Sequence, residues 1–441
     1  QLSSSVLGAL DGVTAGSGTL VGSVSTAAVA GLSTAQVGTL TSQQLTDLSA
    51  TAFQAISTKD ISSVSTSALG NISSVTLGQL TTAQLTSLTS AQIVAAASNL
   101  STSQVGLLTA GQLSSSVLGA LDGVTAGSGT LLGSVSTAAV AGLSTAQVGT
   151  LTSQQLTDLS ATAFQAISTK DIGSVSTSAI GNISSVTLGQ LTSTQLTALT
   201  SAQIVAAASN LSTSQVAGLT AGQLSSSVLG ALDGVTSGSG TLLGSVSTAA
   251  VAGLSTAQVG TLTSQQLTDL SATAFQAIST KDIGSVSTSA IGNISSVTLG
   301  QLTTAQLTSL TGAQIAAAAS NLSTGQVSAL TASQLNASAL SALDGVTAGS
   351  GTLLGSLSTA AIAGLSSAQV GTLTSQQLTD LSTADIQAIT TQDISSISTT
   401  ALANLSTSTL AMLTYNQVSS LTSAQWNDIP DDAIPYMNIT A

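Results

Sequence analysis

Residues 80–95 read LTTAQLTSLTSAQIVA, an eight-residue pattern written twice in succession. The same pattern begins at Val24 and gives eleven octads up to residue 115, interrupted by a four-residue insert from Ala96 to Asn99. Octad positions 1 and 6 are apolar in all eleven, position 2 is Ser or Thr in all eleven, and position 5 is Gln or Asp in seven. This spacing decides the fold.

The apolar positions are separated by five residues and then by three. Both steps are odd, so on a β-strand the two positions would point to opposite faces. In one continuous α-helix, eight residues turn through about 800°, which leaves a drift of about 80° per octad. Neither structure keeps the apolar side chains on one side. The chain must therefore break and restart every eight residues.

The octad also carries the signals for restarting a helix. Ser or Thr at position 2 can act as N-cap, and Gln or Asp at position 5 is then N3, which predicts a capping box. Positions 1 and 6 become the pair of a hydrophobic staple. Helices this short are unstable alone, so they must bury their aliphatic side chains against neighbours. We predict an all-α protein, an elongated solenoid of short capped helices, with Phe53, Phe164 and Phe275 as core fillers. Thr, Val and Ile also favour strands, so a β-solenoid is the alternative.

A longer repeat contains the octads. The string LSSSVLGALDG begins at Leu2, Leu113 and Leu224, and a diverged copy begins at Leu335, in steps of 111 residues. Repeats at a fixed period indicate units of one array. The predicted units are repeat 1 at 1–112, repeat 2 at 113–223, repeat 3 at 224–334, the diverged repeat 4 at 335–411, and a C-terminal cap or docking segment at 412–441.

The composition excludes several function classes. The chain has no Cys, His, Arg or Glu, only three Lys, and a formal net charge of −13. Most acid–base chemistry and most transition-metal sites need the missing residues, so we expect no enzyme and no cofactor. Three Lys cannot neutralise a phosphate backbone, so nucleic acid is not an expected partner. No run of 18 apolar residues occurs, so we expect no membrane span.

One segment per repeat departs from the octads, and in the first it reads LDGVTAGSGTLVGS at residues 10–23. Asp-Gly and Gly-Ser-Gly predict a loop or irregular coil. A calcium loop is the weaker interpretation, because one carboxylate per loop is too few for six to eight oxygen ligands. Its candidate ligands are Asp11, Asp122, Asp233 and Asp344.

Nine Asn-x-Ser/Thr sequons are candidate glycosylation sites if the chain is secreted in a glycosylating host. Most of them follow automatically from Asn at octad position 8, so their signal is weak. They lie at Asn71, Asn99, Asn182, Asn210, Asn293, Asn321, Asn336, Asn404 and Asn438.

The two ends of the sequence differ. The last 30 residues hold Tyr415, Trp426 and Tyr436, together with both prolines of the chain, whereas Leu2 begins in the middle of the pattern. Any signal peptide is expected to be absent or already removed, because no basic n-region precedes the pattern. An uncapped start and a distinctive end predict head-to-tail contacts, which form filaments when they do not close. We therefore take these four residues as candidate assembly contacts.

The octads LTTAQLTS, LTSAQIVA and LSTAQVGT resemble the L-[ST]-x-x-Q-[VIL]-x-x arrays of large repetitive secreted and surface proteins of proteobacteria. The resemblance implies an extracellular or cell-surface location and a matrix or adhesin-like role, with no catalytic residues. Together with the sparsely charged surface, it leads to one hypothesis: an extracellular structural repeat protein that forms a homopolymeric fibre, sheath or biofilm-matrix filament. The alternative is the stalk or binding surface of a secreted adhesin, with glycans or a cell surface as partner.

Overall fold

The computed structural model describes residues 2–16 and 18–440, with the side chains at 4, 15 and 237 left out. It is 61% helical, built from short α-helices of four to eight residues. The strands occur only as antiparallel pairs of two residues each. The protein is therefore an all-α repeat solenoid, as predicted, and the β-solenoid alternative is wrong.

The elements of the first two repeats follow one order. In the first, they are α1 (Ser4–Leu10), β1 (Thr14–Ala15), β2 (Gly18–Thr19), α2 (Thr26–Ala30), α3 (Thr34–Gly38), α4 (Ser42–Asp47), α5 (Ala50–Gln54), α6 (Thr58–Ile61), α7 (Thr66–Gly70), α8 (Ser74–Leu77), α9 (Thr82–Thr86), α10 (Ser90–Ala96) and α11 (Thr102–Val105). In the second, they are α12 (Ser115–Asp122), β3 (Thr125–Ala126), β4 (Gly129–Thr130), α13 (Thr137–Ala141), α14 (Thr145–Gly149), α15 (Ser153–Asp158), α16 (Ala161–Gln165), α17 (Thr169–Ile172), α18 (Thr177–Gly181), α19 (Ser185–Leu188), α20 (Ser193–Ala198), α21 (Ser201–Ala207) and α22 (Thr213–Ala217).

The third and fourth repeats continue in the same order. The third has α23 (Ser226–Asp233), β5 (Thr236–Ser237), β6 (Gly240–Thr241), α24 (Thr248–Ala252), α25 (Thr256–Gly260), α26 (Ser264–Asp269), α27 (Ala272–Gln276), α28 (Thr280–Ile283), α29 (Thr288–Gly292), α30 (Ser296–Leu299), α31 (Thr304–Thr308), α32 (Gly312–Ala318) and α33 (Thr324–Ser328). The fourth, with the segment after it, has α34 (Ala337–Asp344), β7 (Thr347–Ala348), β8 (Gly351–Thr352), α35 (Thr359–Ala363), α36 (Ser367–Val370), α37 (Ser375–Asp380), α38 (Thr383–Ala388), α39 (Thr391–Ile394), α40 (Thr399–Ala403), α41 (Thr407–Leu410), α42 (Tyr415–Ser419) and α43 (Ser423–Asp428).

Short 3₁₀ helices complete the coils. They span Val21–Ser23, Ala97–Asn99, Ala110–Gln112, Leu131–Ser134, Ala208–Asn210, Ala221–Gln223, Leu242–Ser245, Ala319–Asn321, Ala332–Gln334, Leu353–Ser356 and Ile434–Tyr436.

The capping boxes form as predicted where octad position 5 is Gln. Where it is Asp, as in α6, the carboxylate of Asp60 accepts from the Ser57 hydroxyl instead of from the Ser57 backbone N–H, so the box is not closed. In α9 the hydroxyl of Thr81 accepts a hydrogen bond from the backbone N–H of Gln84 at 3.2 Å, and Gln84 Oε1 accepts one from the backbone N–H of Thr81 at 3.0 Å. Thr81 itself is extended, with φ −68° and ψ 156°. Two orphan donors of the helix start are thus satisfied by local side chains. This is why the chain can restart a helix at each octad.

Three octads make one coil of the solenoid. Helices of consecutive octads pack on the helix three places further along the chain, as α2 does on α5, α3 on α6 and α4 on α7, whereas α10, which precedes the 3₁₀ helix Ala97–Asn99, packs on α12. The interior is formed by octad positions 1 and 6, most of which are buried, with Phe53, Phe164 and Phe275 fully buried as predicted. Stacking therefore supplies the apolar contact that each short helix lacks by itself.

The segment outside the octads is more ordered than the predicted loop or irregular coil. The eight-residue helix α12 ends at Asp122 and leads into a hairpin in which Thr125 pairs with Thr130. The two-residue turn begins at Gly127, whose φ of 64° a glycine adopts without strain. The 3₁₀ helix Leu131–Ser134 then returns the chain to the coil.

The chain falls into two compact units, residues 1–215 and 216–441. Their boundary lies inside the second repeat, so the predicted repeat boundaries describe the sequence period rather than these units. No helix in the described part of the chain has the length and apolar character needed to cross a membrane.

Candidate functional site

A glutamine at octad position 5 joins successive coils at many of the capped helices. Gln92 Oε1 accepts from the backbone N–H of Thr89 at 2.9 Å, which closes the capping box of α10. Its Nε2 donates to the carbonyl oxygens of Ile61 at 3.0 Å and Val64 at 2.7 Å, both on the preceding coil. Ile61 is the last residue of α6, where carbonyl groups lack partners within the helix. A single buried carboxamide therefore satisfies the start of one helix and the end of another.

The same arrangement recurs along both units, and we call it the glutamine ladder. Gln84, Gln195 and Gln306 make it with identical separations in sequence, each donating to carbonyls 28 and 31 residues earlier. Its members include Gln36, Gln84, Gln92, Gln104, Gln112, Gln147, Gln195, Gln203, Gln215, Gln258, Gln306, Gln314, Gln326, Gln334, Gln369, Gln417 and Gln425.

Sequence reasoning found the cap and missed the ladder. Gln and Asp both serve at N3, but only the carboxamide has a donor left for a neighbouring carbonyl. Where Asp171 takes this position, it accepts instead from the Ser168 hydroxyl at 2.5 Å and from the hydroxyl of Thr145 on the preceding coil. These hydrogen bonds lower the pKa of Asp171. The frequency of Gln over Asp at position 5 was the signal in the sequence.

Each candidate calcium aspartate faces a second aspartate. Asp122 is the last residue of α12, and Asp158 is the last residue of α15 on the next coil. Burial, followed by hydrogen bonding with Asp158 and its negative charge, raises the pKa of Asp122 to about 6. The pairs Asp233–Asp269 and Asp344–Asp380 behave in the same way. We call each of these an aspartate pair.

The hairpin contacts the aspartate pair. Asp158 Oδ2 accepts from the hydroxyl of Thr130 at 3.2 Å, and its Oδ1 accepts from Gln154 Nε2 at 2.9 Å. Asp122 Oδ1 is buried and has no hydrogen-bond partner. The pair thus lies between the ends of two helices and the end of the hairpin.

In the first repeat the corresponding residues are Asp11 and Asp47. Asp11 Oδ1 and Asp47 Oδ2 are buried without a partner. Asp47 lines an open pocket of about 490 Å³ together with Thr14 and Thr19 of the hairpin. The hairpin therefore stands over a carboxylate here as well.

The structure adds one carboxylate to each candidate calcium aspartate, which gives two carboxylates per site. The described residues contain no group of three or more His, Cys, Asp or Glu side chains that could hold a metal ion. Sequence reasoning missed the partner aspartates, although Asp47 follows Asp11 by 36 residues and Asp158 follows Asp122 by the same 36. The constant separation was the available signal.

The sequon asparagines fall into two structural groups. Asn71 and its equivalents Asn182, Asn293 and Asn404 are exposed and donate to a carbonyl of their own helix. Asn99, Asn210 and Asn321 are half-buried and donate between coils, as Asn99 Nδ2 does to Ile72 O at 2.9 Å.

The last two sequons differ from both groups. Asn336 is exposed and caps α34 by accepting from the Ala339 N–H at 2.8 Å. Asn438 Nδ2 donates to Leu413 O at 2.5 Å, between coils. A glycan fits the first group of four without loss of a contact between coils.

The candidate assembly residues occupy the first and last coils. Tyr436 is 64% exposed and Tyr415 is 41% exposed. Trp426 stands at octad position 6 of its helix and is half-buried, whereas Val418 at the same position of α42 is buried. Leu2 provides the carbonyl that accepts from Gln36 Nε2, so it is part of the glutamine ladder.

Neither a protein-family description nor a curated protein matches this chain.

Proposed function

We propose that this chain is an extracellular structural protein that assembles with copies of itself into a fibre, sheath or biofilm-matrix filament. The glutamine ladder carries the proposal. Its acceptors are backbone carbonyls, which every coil offers, and its donor is one side chain that recurs at a fixed position. A coil of one chain can therefore add to a coil of another through the same contacts that join coils within a chain.

The last coil supports the same proposal. Trp426 occupies a position that is buried in the preceding helix, yet it retains exposed surface, and Tyr436, the last residue of the final 3₁₀ helix, is exposed. Large aromatic side chains with one accessible face are enriched in protein interfaces. The first coil of a second copy would cover them, and the repeat of that contact gives a head-to-tail polymer.

The composition of the surface supports lateral association. Only 4% of residues are charged, against the roughly 25–35% charged surface that keeps small domains apart. Exposed Ser, Thr and Gln side chains leave hydroxyls and amides for hydrogen bonds between filaments. The resemblance of the octads to those of secreted proteobacterial repeat proteins supports the extracellular location.

Electron microscopy of the purified chain tests the proposal. We expect long uniform fibres from the wild type and shorter fibres from the double variant Trp426→Ala/Tyr436→Ala, with helical circular dichroism unchanged. Val186→Ala is the control, because Val186 is apolar and 75% exposed but lies on α19, in the second repeat and away from the last coil. Isolated particles of a single chain length in the wild type would favour the adhesin stalk instead. Equal shortening by the control would refute docking through the last coil.

A further inference from the structure

The aspartate pair leaves negative charge without compensation. Asp122 and Asp158 are both the last residues of their helices, where the helix dipole is itself negative. The elements packed against α12 are α10, α15 and the 3₁₀ helices 97–99 and 131–134, and Asp158 is their one charged side chain. Lys170 lies on α17, which packs against α14 and α20. No cation on the neighbouring elements therefore offsets the two carboxylates.

One shared proton resolves this conflict. A buried carboxylate oxygen without a donor is costly, and Asp122 Oδ1 is such an oxygen. Two neighbouring carboxyl groups avoid that cost when one is protonated and donates to the other. The raised pKa of Asp122, about 6, has burial as its first cause and the neighbouring Asp158 as its second and third.

The hairpin is attached to both members of the pair. Two residues separate Asp122 from the start of β3, and the Thr130 hydroxyl at the end of β4 donates to Asp158. The hairpin itself is short: two residue pairs and the bond from Leu131 N to Val124 O at 2.8 Å. Its position over α15 therefore depends on the distance between the two carboxyl groups.

We propose that each aspartate pair is a proton-dependent latch for its hairpin. With one proton shared, the hairpin is closed against the end of α15. When the proton is lost, the two carboxylates repel each other, the end of α12 moves away from α15, and the hairpin opens. The latch recurs at Asp233–Asp269 and Asp344–Asp380, so up to three hairpins respond together.

The sign of the response follows from the direction of the pKa shift. The closed state holds its proton more tightly than an open state, in which Asp has a pKa of about 3.8. The latch is therefore fully closed below that value and is lost as the pH rises through about 6. The rise of the pKa of Asp122 from 3.8 to about 6 corresponds to a factor of about 100 in the equilibrium between the open and closed hairpin.

Hydrogen exchange at the hairpin tests the latch. We expect the protection factors of residues 126–131, corrected for the intrinsic pH dependence of exchange, to fall by between about 10-fold and about 100-fold from about pH 4 to about pH 7.5. In Asp122→Asn the amide can donate to Asp158 at every pH, so protection should stay high throughout. Asp171→Asn is the matched control and should keep the wild-type profile, because Asp171 lies on α17, which packs against α14 and α20 and not against the helices of the aspartate pair.

Three results would overturn the proposal. One is wild-type protection that does not change with pH. Another is an unchanged pH profile in Asp122→Asn. The third is full recovery of neutral-pH protection on addition of millimolar calcium chloride, because it would make a cation and not a proton the occupant of the pair.

Discussion

Replacement of Gln195 by Glu tests the glutamine ladder with almost no change in shape. Gln195 is 1% exposed, and its Nε2 donates to the carbonyl oxygens of Ile167 at 2.9 Å and Phe164 at 3.2 Å. Its Oε1 accepts from the N–H of Thr192 at 3.0 Å. A carboxylate keeps the hydrogen bond from the N–H of Thr192 but places an oxygen, instead of an N–H donor, opposite the two carbonyl oxygens. Only a protonated carboxyl group can donate to one of them.

The free-energy cost of this change comes from the proton that the introduced carboxyl group must keep when it is buried. Glu has an ordinary pKa of about 4.3, so holding the introduced carboxyl protonated at about pH 7 costs about 2.7 pKa units, or about 3.7 kcal/mol. The group gains a proton on folding, so its folded pKa is raised. The destabilisation is therefore present at neutral pH and disappears as the pH falls below about 4. An unpaired carbonyl adds about 1 kcal/mol at any pH.

Local hydrogen exchange is the appropriate measurement, because a solenoid can open at one joint while its other coils stay folded. For Gln195→Glu we expect protection of α16 and α20 to fall by a factor of about 500 at about pH 7, with most of it regained at about pH 4. Gln165→Glu is the control, because Gln165 is exposed and donates only to Gln190 O at 2.9 Å on the surface. Its effect should stay below about 1 kcal/mol.

Two results would refute this account of the ladder. If the variants at Gln195 and Gln165 exchanged alike at neutral pH, the buried carboxamide would not join the coils. If the loss in Gln195→Glu persisted in acid, its cause would be packing and not the missing donor.

Two further predictions concern the packing of the coils. Gly181→Ala should lower the free energy of unfolding by about 1–3 kcal/mol, because the added Cβ would lie 2.9 Å from a carbonyl oxygen of the next coil. Gly119→Ala, whose added Cβ has nothing within 4 Å, should instead stabilise α12 by about 0.5–1 kcal/mol. Guanidinium denaturation of both variants checks these opposite signs. Phe164→Ala should cost about 3–5 kcal/mol by the same measurement, and Phe164→Ile should cost less than about 1.5 kcal/mol, because Ile386 fills the equivalent buried site in the fourth repeat. Equal losses for Phe164→Ala and Phe164→Ile would contradict a core role for side-chain volume.

The local structure could be predicted from the sequence because its causes are local. The cap at Thr81 and its partner Gln84 are three residues apart, and the buried positions follow from where each helix restarts. The octad pattern does not predict the number of octads per coil, because a coil of two, three or four octads would bury the same positions. That number depends on how helices pack against each other across 24 or more residues.

The aspartate pair could not be predicted either, because it too depends on how elements that are distant in sequence pack against each other. Asp122 and Asp158 meet only because the hairpin lengthens the path between two stacked helices, and the octad rule does not describe that segment. The candidate assembly residues stay a prediction. Trp426 and Tyr436 have the exposed surface that docking requires.

The glutamine ladder adds a buried hydrogen bond to some junctions between coils and not to others. In a β-solenoid the main chain pairs at every level, so all levels resist separation about equally. Here the octad of α20 has Gln195 at position 5, whereas the octad of α16 has Ala163 there, and an alanine side chain has no donor. Under tension we therefore expect the junctions without a ladder glutamine to open before those that have one, so that the chain would lengthen in steps.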